Sequence, residues 1–204
     1  FCLEAVAKHR KTQHGPAIGA CIVIEIDGED DEALALQTKR MEAVAKECGV
    51  YQFRIAQSQQ ESDDLWAIRR GISSAIASLV PNRLGEDISV PRDAFPEAVR
   101  RIAAIAEKHK LIIAVYGHAG DGNIHPSILC DLSKPGEEER VHRAVEDLFD
   151  ATLSVGGTLS GEHGIGITKR PYIAKALGES GVKTLGAVKQ ALDPKGILNP
   201  GKIW

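Results

Sequence analysis

Residues 117 to 125 read Gly-His-Ala-Gly-Asp-Gly-Asn-Ile-His, entered from the apolar, β-prone run Leu111 to Tyr116. Asp121-Gly122 favours a tight type I′ hairpin turn, which commits the flanking runs to antiparallel pairing. With that pair at the turn centre, positions whose numbers sum to 243 face one another, so His118 lies opposite His125. Directly opposed side chains have Cβ atoms about 4.5–5.5 Å apart. Two imidazoles so placed can share a divalent ion with metal-to-nitrogen distances of about 2.0–2.1 Å.

Period-2 alternation puts Tyr116, His118, His125 and Ser127 on one face of the hairpin and Val115, Gly117, Ile124 and Ile128 on the other. One face is polar and the other apolar. Pro126 inside the second strand calls for an edge position or a bulge. Taken singly, the histidines also fit ordinary surface hairpin residues.

The rest of the chain alternates strands with helices. The run Ile18 to Ile26 reads as a buried strand, and a helix follows from Asp31 to Cys48 with its stop at Gly49. Tyr51 to Ala56 reads as a second strand. The next helix, near Glu61 to Leu79, stripes Leu65, Ile68, Ile72, Ile76 and Leu79 along one side, and Pro81 closes it. A short strand at Asp87 to Val90 precedes a helix that opens between Pro91 and Pro96 and runs to about Lys108. Helices near Gly136 to Val155 and Val182 to Leu192 complete the pattern. This predicts an α+β fold, a mostly antiparallel sheet with helices on one face, ferredoxin-like, single or doubled.

With 204 residues the chain can bury one substantial core or two small lobes. Its net charge of −3, with acidic and basic residues interspersed, leaves no basic stripe for nucleic acid. The four cysteines, Cys2, Cys21, Cys48 and Cys130, show no metal-ribbon spacing and read as reduced, which suits a cytoplasmic protein. No apolar run is long enough to span a bilayer, so membrane contact would be peripheral, through partners. The start lacks a basic leader and an initiator Met, as an excised domain would.

Two more places carry candidate chemistry. In Ser160-Gly161-Glu162-His163-Gly164-Ile165-Gly166, Glu162 can serve as a third ligand and His163 as a general base, or both can be solvated loop residues. Neighbours on an extended segment point opposite ways, which divides the two roles. The spacing matches neither a Walker loop nor a dinucleotide fingerprint. On the helix containing Trp66, a 100° step puts Arg69 and Ser73 at the border of the apolar stripe and turns Arg70 and Ser74 outward. Arg69 can grip a carboxylate with Ser73 one turn on, or it can cover the core edge with its stem.

Together, Leu65-Trp66-Ala67-Ile68-Arg69, His118 to His125, Gly161 to Gly166 and Leu198-Asn199-Pro200-Gly201-Lys202 resemble the C-terminal domain of the FAD-linked oxidases, which include the glycolate oxidase flavin subunit, D-lactate dehydrogenase and D-2-hydroxyglutarate dehydrogenase. The resemblance implies that residues 1–204 form the substrate- and metal-binding cap domain, with the N-terminal FAD-binding domain outside this chain. It implies zinc or manganese on His118, His125 and Glu162, with His163 as the base that removes the hydroxyl proton of a 2-hydroxy acid. Arg69 and Ser73 fall where the family binds the substrate carboxylate, and Asn199 falls in the tail that approaches the flavin. Ser127 stands where many relatives carry a substrate-contacting Asn. Gly85 stands near where dicarboxylate-using relatives supply a lysine, with Arg83 the nearby cation, which favours a small monocarboxylic substrate.

The expected activity is therefore FAD-dependent oxidation of a small 2-hydroxy acid, of glycolate or D-lactate type, to the 2-oxo acid. The isolated domain would be inactive, and the face left by the absent FAD domain would leave room for a homo-oligomer. Two alternatives remain from the residues themselves: a metallohydrolase with a two-His, one-Glu site, and a non-catalytic binding or assembly module.

Overall fold

The computed structural model describes residues 1–10 and 19–204. They divide into two compact units, Leu3–Ala75 and Ile76–Trp204, the latter joined by Phe1–Cys2.

The first unit is helical among its described residues. It contains α1 (Cys2–Arg10), α2 (Asp31–Glu47) and most of α3 (Gln59–Ala77). Asp30 caps α2 by accepting the Ala33 N–H at 2.7 Å. Ser58 does the same for Glu61 at 3.2 Å, and the Glu61 carboxylate reaches back to the Gln57 N–H at 2.7 Å, so α3 starts two residues before the expected Glu61. Arg69 and Ser73 are half-buried while Arg70 and Ser74 are exposed, as the helical step requires. The strands expected at Ile18 to Ile26 and Tyr51 to Ala56 are corrected. Ile18 lies outside the described residues, and the described remainder of both runs forms no ladder, with Ile22, Ile24, Tyr51 and Ile55 exposed. β-propensity describes how a side chain fits a sheet already there, and the described residues of this unit offer none.

The second unit contains the sheet. It runs β1 (Asn82–Gly85), β2 (Ile88–Ser89), α4 (Phe95–His109), β3 (Ile112–His118), β4 (Asn123–Cys130), α5 (Glu137–Ser154) and α6 (Ile173–Leu192). β4 is central, with β3 along one edge and β1 and β2 along the other, all antiparallel. An isolated bridge from Ser89 to Thr158 adds the start of a further strand beyond β2. Strand, helix, hairpin, helix, bridge is the ferredoxin-like order, present once. The last helix begins at Ile173 and not near Val182, with a break at Gly178 (φ 65°).

Paired residue numbers sum to 212 along both β1 and β2, so no residue is inserted between them. The gap comes from Pro126. Glu86 donates its N–H to the Pro126 carbonyl at 2.8 Å, but proline has no N–H to return, and the ladder lapses at Glu86 and Asp87. The expected edge position or bulge is therefore not needed.

The apolar face of β4, Ile124 and Ile128, packs with Ile88 beneath α4 and α5, where Ile102, Ile105, Leu148 and Phe149 fill the core. Tyr172 seals that core edge-on to Phe149, ring centroids 4.9 Å apart. Pro96 opens α4 and Lys110, in the left-handed conformation (φ 52°), ends it. The polar face of the sheet is left for the site.

Candidate functional site

The hairpin delivers the first pair of site residues, in a register two residues from the expected one. β3 and β4 pair at a sum of 241, so His118 faces Asn123 and Tyr116 faces His125. The connection is a helical turn over Ala119–Asp121, with Gly122 in the left-handed region (φ 71°). A Cβ there would lie 2.0 Å from the Val90 carbonyl oxygen, so tertiary contact with β2's exit shapes the turn that Asp-Gly alone would have made tighter. A shift of two keeps every side chain on its face, whereas a shift of one would have put His118 and His125 on opposite faces of the sheet. His118 and His125 remain neighbours, now diagonal, with ring centroids 5.4 Å apart and planes at 88°.

Residues 161–163 arrive from a loop that is not extended. The N–H groups of Gly161, Glu162 and His163 all donate to Asp87 Oδ2, at 3.0, 3.0 and 2.8 Å, and the Ser160 hydroxyl joins them at 2.9 Å. Three successive amides on one oxygen curl the backbone, so the expected divergence of Glu162 and His163 does not hold. Both side chains come to His125: Glu162 Oε1 is 3.1 Å from His125 Nε2 and 3.8 Å from His163 Nε2, and the His163 ring stacks on His125 at 5.3 Å and 11°. The same bonds occupy the amides of Gly161, Glu162 and His163, which are therefore not open to a phosphate.

Asp87, Asn123 and Lys169 have no counterpart among the residues singled out from sequence. Asp87 continues the β1–β4 register opposite His125, and its side chain is fully buried. Burial opposes its charge, but the His163 and Glu162 amides, the Ser160 hydroxyl and Lys169 outweigh it and hold the carboxyl at about 2. Lys169, itself buried, donates to the carbonyls of Asp87 and Leu159 at 2.6 Å each and stands 3.8 Å from the Glu86 carboxylate. Its only sequence signal is a lysine after the Gly-rich loop.

Among the described residues, three buried side-chain atoms lack a hydrogen-bond partner, Asp87 Oδ1, Asn123 Oδ1 and His125 Nδ1, and all three belong to this site. Buried polar atoms in folded proteins are nearly always paired, so the concentration of orphans here marks a place built for something more than packing. Two sets of side chains could hold an ion, His118 with His125 and Glu162, and Asp87 with His125 and His163, the ligand atoms of each lying within 4.8 Å of one another. An ion lies in the plane of each imidazole that binds it. The crossed planes of His118 and His125 can meet at one point, while the near-parallel planes of His125 and His163 cannot. Burial holds the His125 pKa below its ordinary value, against the pull of Asp87 and Glu162, which favours the neutral ring a metal needs. The His118, His125 and Glu162 set fits a divalent cation, beside a cleft of about 330 Å³ lined by His118, Asp121, Asn123, Gly161 and Glu162.

Ser127 is fully buried on the same face, its hydroxyl 3.4 Å from the Tyr116 hydroxyl. Asn199 lies in the C-terminal tail with φ 50°. The Asp193 carboxylate orders that tail by accepting the Ile197 and Leu198 N–H groups at 3.1 and 2.9 Å. Arg69 and Ser73 belong to α3 of the helical unit.

The family described as FAD linked oxidases, C-terminal domain, matches residues 2–203. This chain belongs to that family. It is 38% identical over 185 residues to the glycolate oxidase subunit GlcD of Bacillus subtilis (strain 168), covering 91% of this chain and 39% of that protein. It is 30% identical over 194 residues to a D-lactate dehydrogenase of Anaerostipes hadrus, covering 95% of this chain and 41% of that protein. The chain thus spans about two fifths of the length of these relatives. In fold it resembles the 4-ethylphenol oxidase from Gulosibacter chungangensis, with a TM-score of 0.54 at 19% identity over 83% of this chain and 37% of that one. No helix among the described residues is long and apolar enough to cross a membrane.

Proposed function

We propose that this chain is the substrate- and metal-binding part of an FAD-dependent dehydrogenase that oxidises a small 2-hydroxy acid, of glycolate or D-lactate type, to the 2-oxo acid. The relatives are named for those two activities, this chain spans about two fifths of their length, and the family it matches is described as the C-terminal domain of FAD linked oxidases, which supports an FAD-binding part outside residues 1–204. The observation that carries the reading is the convergence of His118, His125, Glu162 and His163 on one face around the unpaired buried atoms.

His118, His125 and Glu162 would hold the divalent ion, zinc or manganese, which when bound supplies Lewis acidity that lowers the pKa of a substrate hydroxyl. His163 takes the hydroxyl proton at its ring nitrogen, with the imidazole exposed for substrate and backed by the His125 ring. Arg69 and Ser73, on α3, would offer a substrate carboxylate charge-assisted hydrogen bonds. Ser127, on the polar face of β4, would contact the substrate, and Asn199, in the C-terminal tail, would face the flavin when it is bound.

Elemental analysis tests the reading. About one divalent ion per chain is expected, and His118→Ala should lose it, because two remaining ligands seldom hold such an ion tightly. Equal metal content in both proteins would overturn the assignment. In the FAD-loaded enzyme, His163→Ala should keep its metal while turnover falls by about 10²–10⁴-fold. Flavin-free turnover of ester or amide substrates by this chain would instead favour a metallohydrolase.

A further inference from the structure

The buried carboxylate of Asp87 has two oxygens with two different surroundings. Oδ2 accepts the four hydrogen bonds that curl residues 160–163. Oδ1 accepts none, and it lies 3.7 Å from His125 Nδ1, which is also buried and unpaired. Across the ring, His125 Nε2 faces Glu162 Oε1 at 3.1 Å. An imidazole carries one proton when neutral, and whichever nitrogen holds it cannot donate a lone pair to an ion. Asn123, buried two residues along β4, is separated from Asp87 by Gly161, which fills the space so closely that a Cβ would lie 2.1 Å from Asn123 Nδ2 and 3.1 Å from Asp87 Oδ1. Of the two carboxylates that act on His125 among the described residues, Glu162 faces Nε2 and Asp87 faces Nδ1.

We propose that Asp87 is the positioning residue of this site: Oδ2 sets the loop that carries Glu162 and His163, and Oδ1 keeps the proton of His125 on Nδ1, leaving the Nε2 lone pair free for an ion shared with Glu162. Asp87 acts through these residues and is not itself a ligand. Its Oδ2 is already saturated, and a ligand role would need the near-parallel His125 and His163 rings to share an ion. Carboxylates behind metal-bound histidines orient them in this way and raise their basicity. The metal arm rests on the function proposed above, and the proton arm does not.

The substitution Asp87→Asn separates the two oxygens chemically. The side-chain carbonyl oxygen must take the loop amides, because an NH2 group facing three N–H donors is repulsive. The NH2 group is then turned toward His125 Nδ1, which must accept, so the ring proton moves to Nε2. Long-range 1H–15N NMR of the metal-free, histidine-labelled chain at about pH 8 reads the tautomer directly. Wild type should show Nδ1–H at His125 and Asp87→Asn should show Nε2–H. Titration with zinc should give affinity lower in the variant by about 10–100-fold. An Nε2–H ring in wild type overturns the proposal without any variant, as does an Nδ1–H ring that persists in Asp87→Asn. If wild type binds no zinc, the proposed function falls, while the tautomer still decides the role of Asp87.

Discussion

Replacing Lys169 by Met isolates the anchor beneath the site. The two side chains are similar in length and volume, so the change removes charge and hydrogen bonds and leaves the packing nearly intact. Lost are the two 2.6 Å bonds to the carbonyls of Asp87 and Leu159, and the cation 3.8 Å from Glu86. Glu86 is only 5% exposed, so its carboxylate would be left buried beside apolar atoms. Removing one partner of a buried pair costs about 3–5 kcal/mol. At about 2–4 °C per kcal/mol for a chain of this size, the melting temperature should fall by roughly 10 °C.

The pH dependence has a definite sign. Burial already lifts the Glu86 carboxyl above its ordinary value, and Lys169 pulls it down. Without the lysine it rises further, so the folded variant binds a proton more tightly than its unfolded chain does. Its stability then falls as pH rises through the window above the ordinary carboxyl value. Urea unfolding followed by circular dichroism should therefore show a larger gap between wild type and Lys169→Met at about pH 8 than at about pH 5. As a control, Lys175→Met removes an ion pair to Asp150 whose side chains are half exposed, and should cost less than about 1 kcal/mol. A gap for Lys169→Met no larger than the control's, or one that widens toward acid, would refute the reasoning.

Gly122→Ala should destabilise by about 2 kcal/mol or more, since φ is 71° and the added Cβ would press on the Val90 carbonyl; a melting temperature equal to wild type would show that the turn can relax. Phe149→Ala, at a side chain 1% exposed, should cost about 3–5 kcal/mol in denaturant unfolding and release Tyr172 from its edge contact; a loss under about 1 kcal/mol would mean the helices close over the cavity.

Periodicity and punctuation determined α2 to α5, the second half of α6 and the sheet's two faces, while α1 went unread. Pro91 and Pro96 made the start of α4 readable, and strict alternation put Ile124 and Ile128 on the apolar face and His125 and Ser127 on the polar one. Those signals are local, carried within a turn or two of chain. The pair His118 and His125 survived an error of two in register for the same reason, because side-chain direction depends on parity alone. The strands expected before residue 60 failed because a ladder needs a partner, and side-chain propensity does not supply one. Tertiary structure alone decided the rest of the site. Asp87 lies 73 to 76 residues before the groups it binds, and Lys169 lies 82 after the Asp87 carbonyl. Neither position breaks a local pattern, since an aspartate beginning a strand and a lysine after a glycine-rich loop are both ordinary on a surface. They became the buried frame of the site only when Pro126 interrupted the ladder and the loop folded back over the gap, where every polar group removed from water must find its partner in the protein.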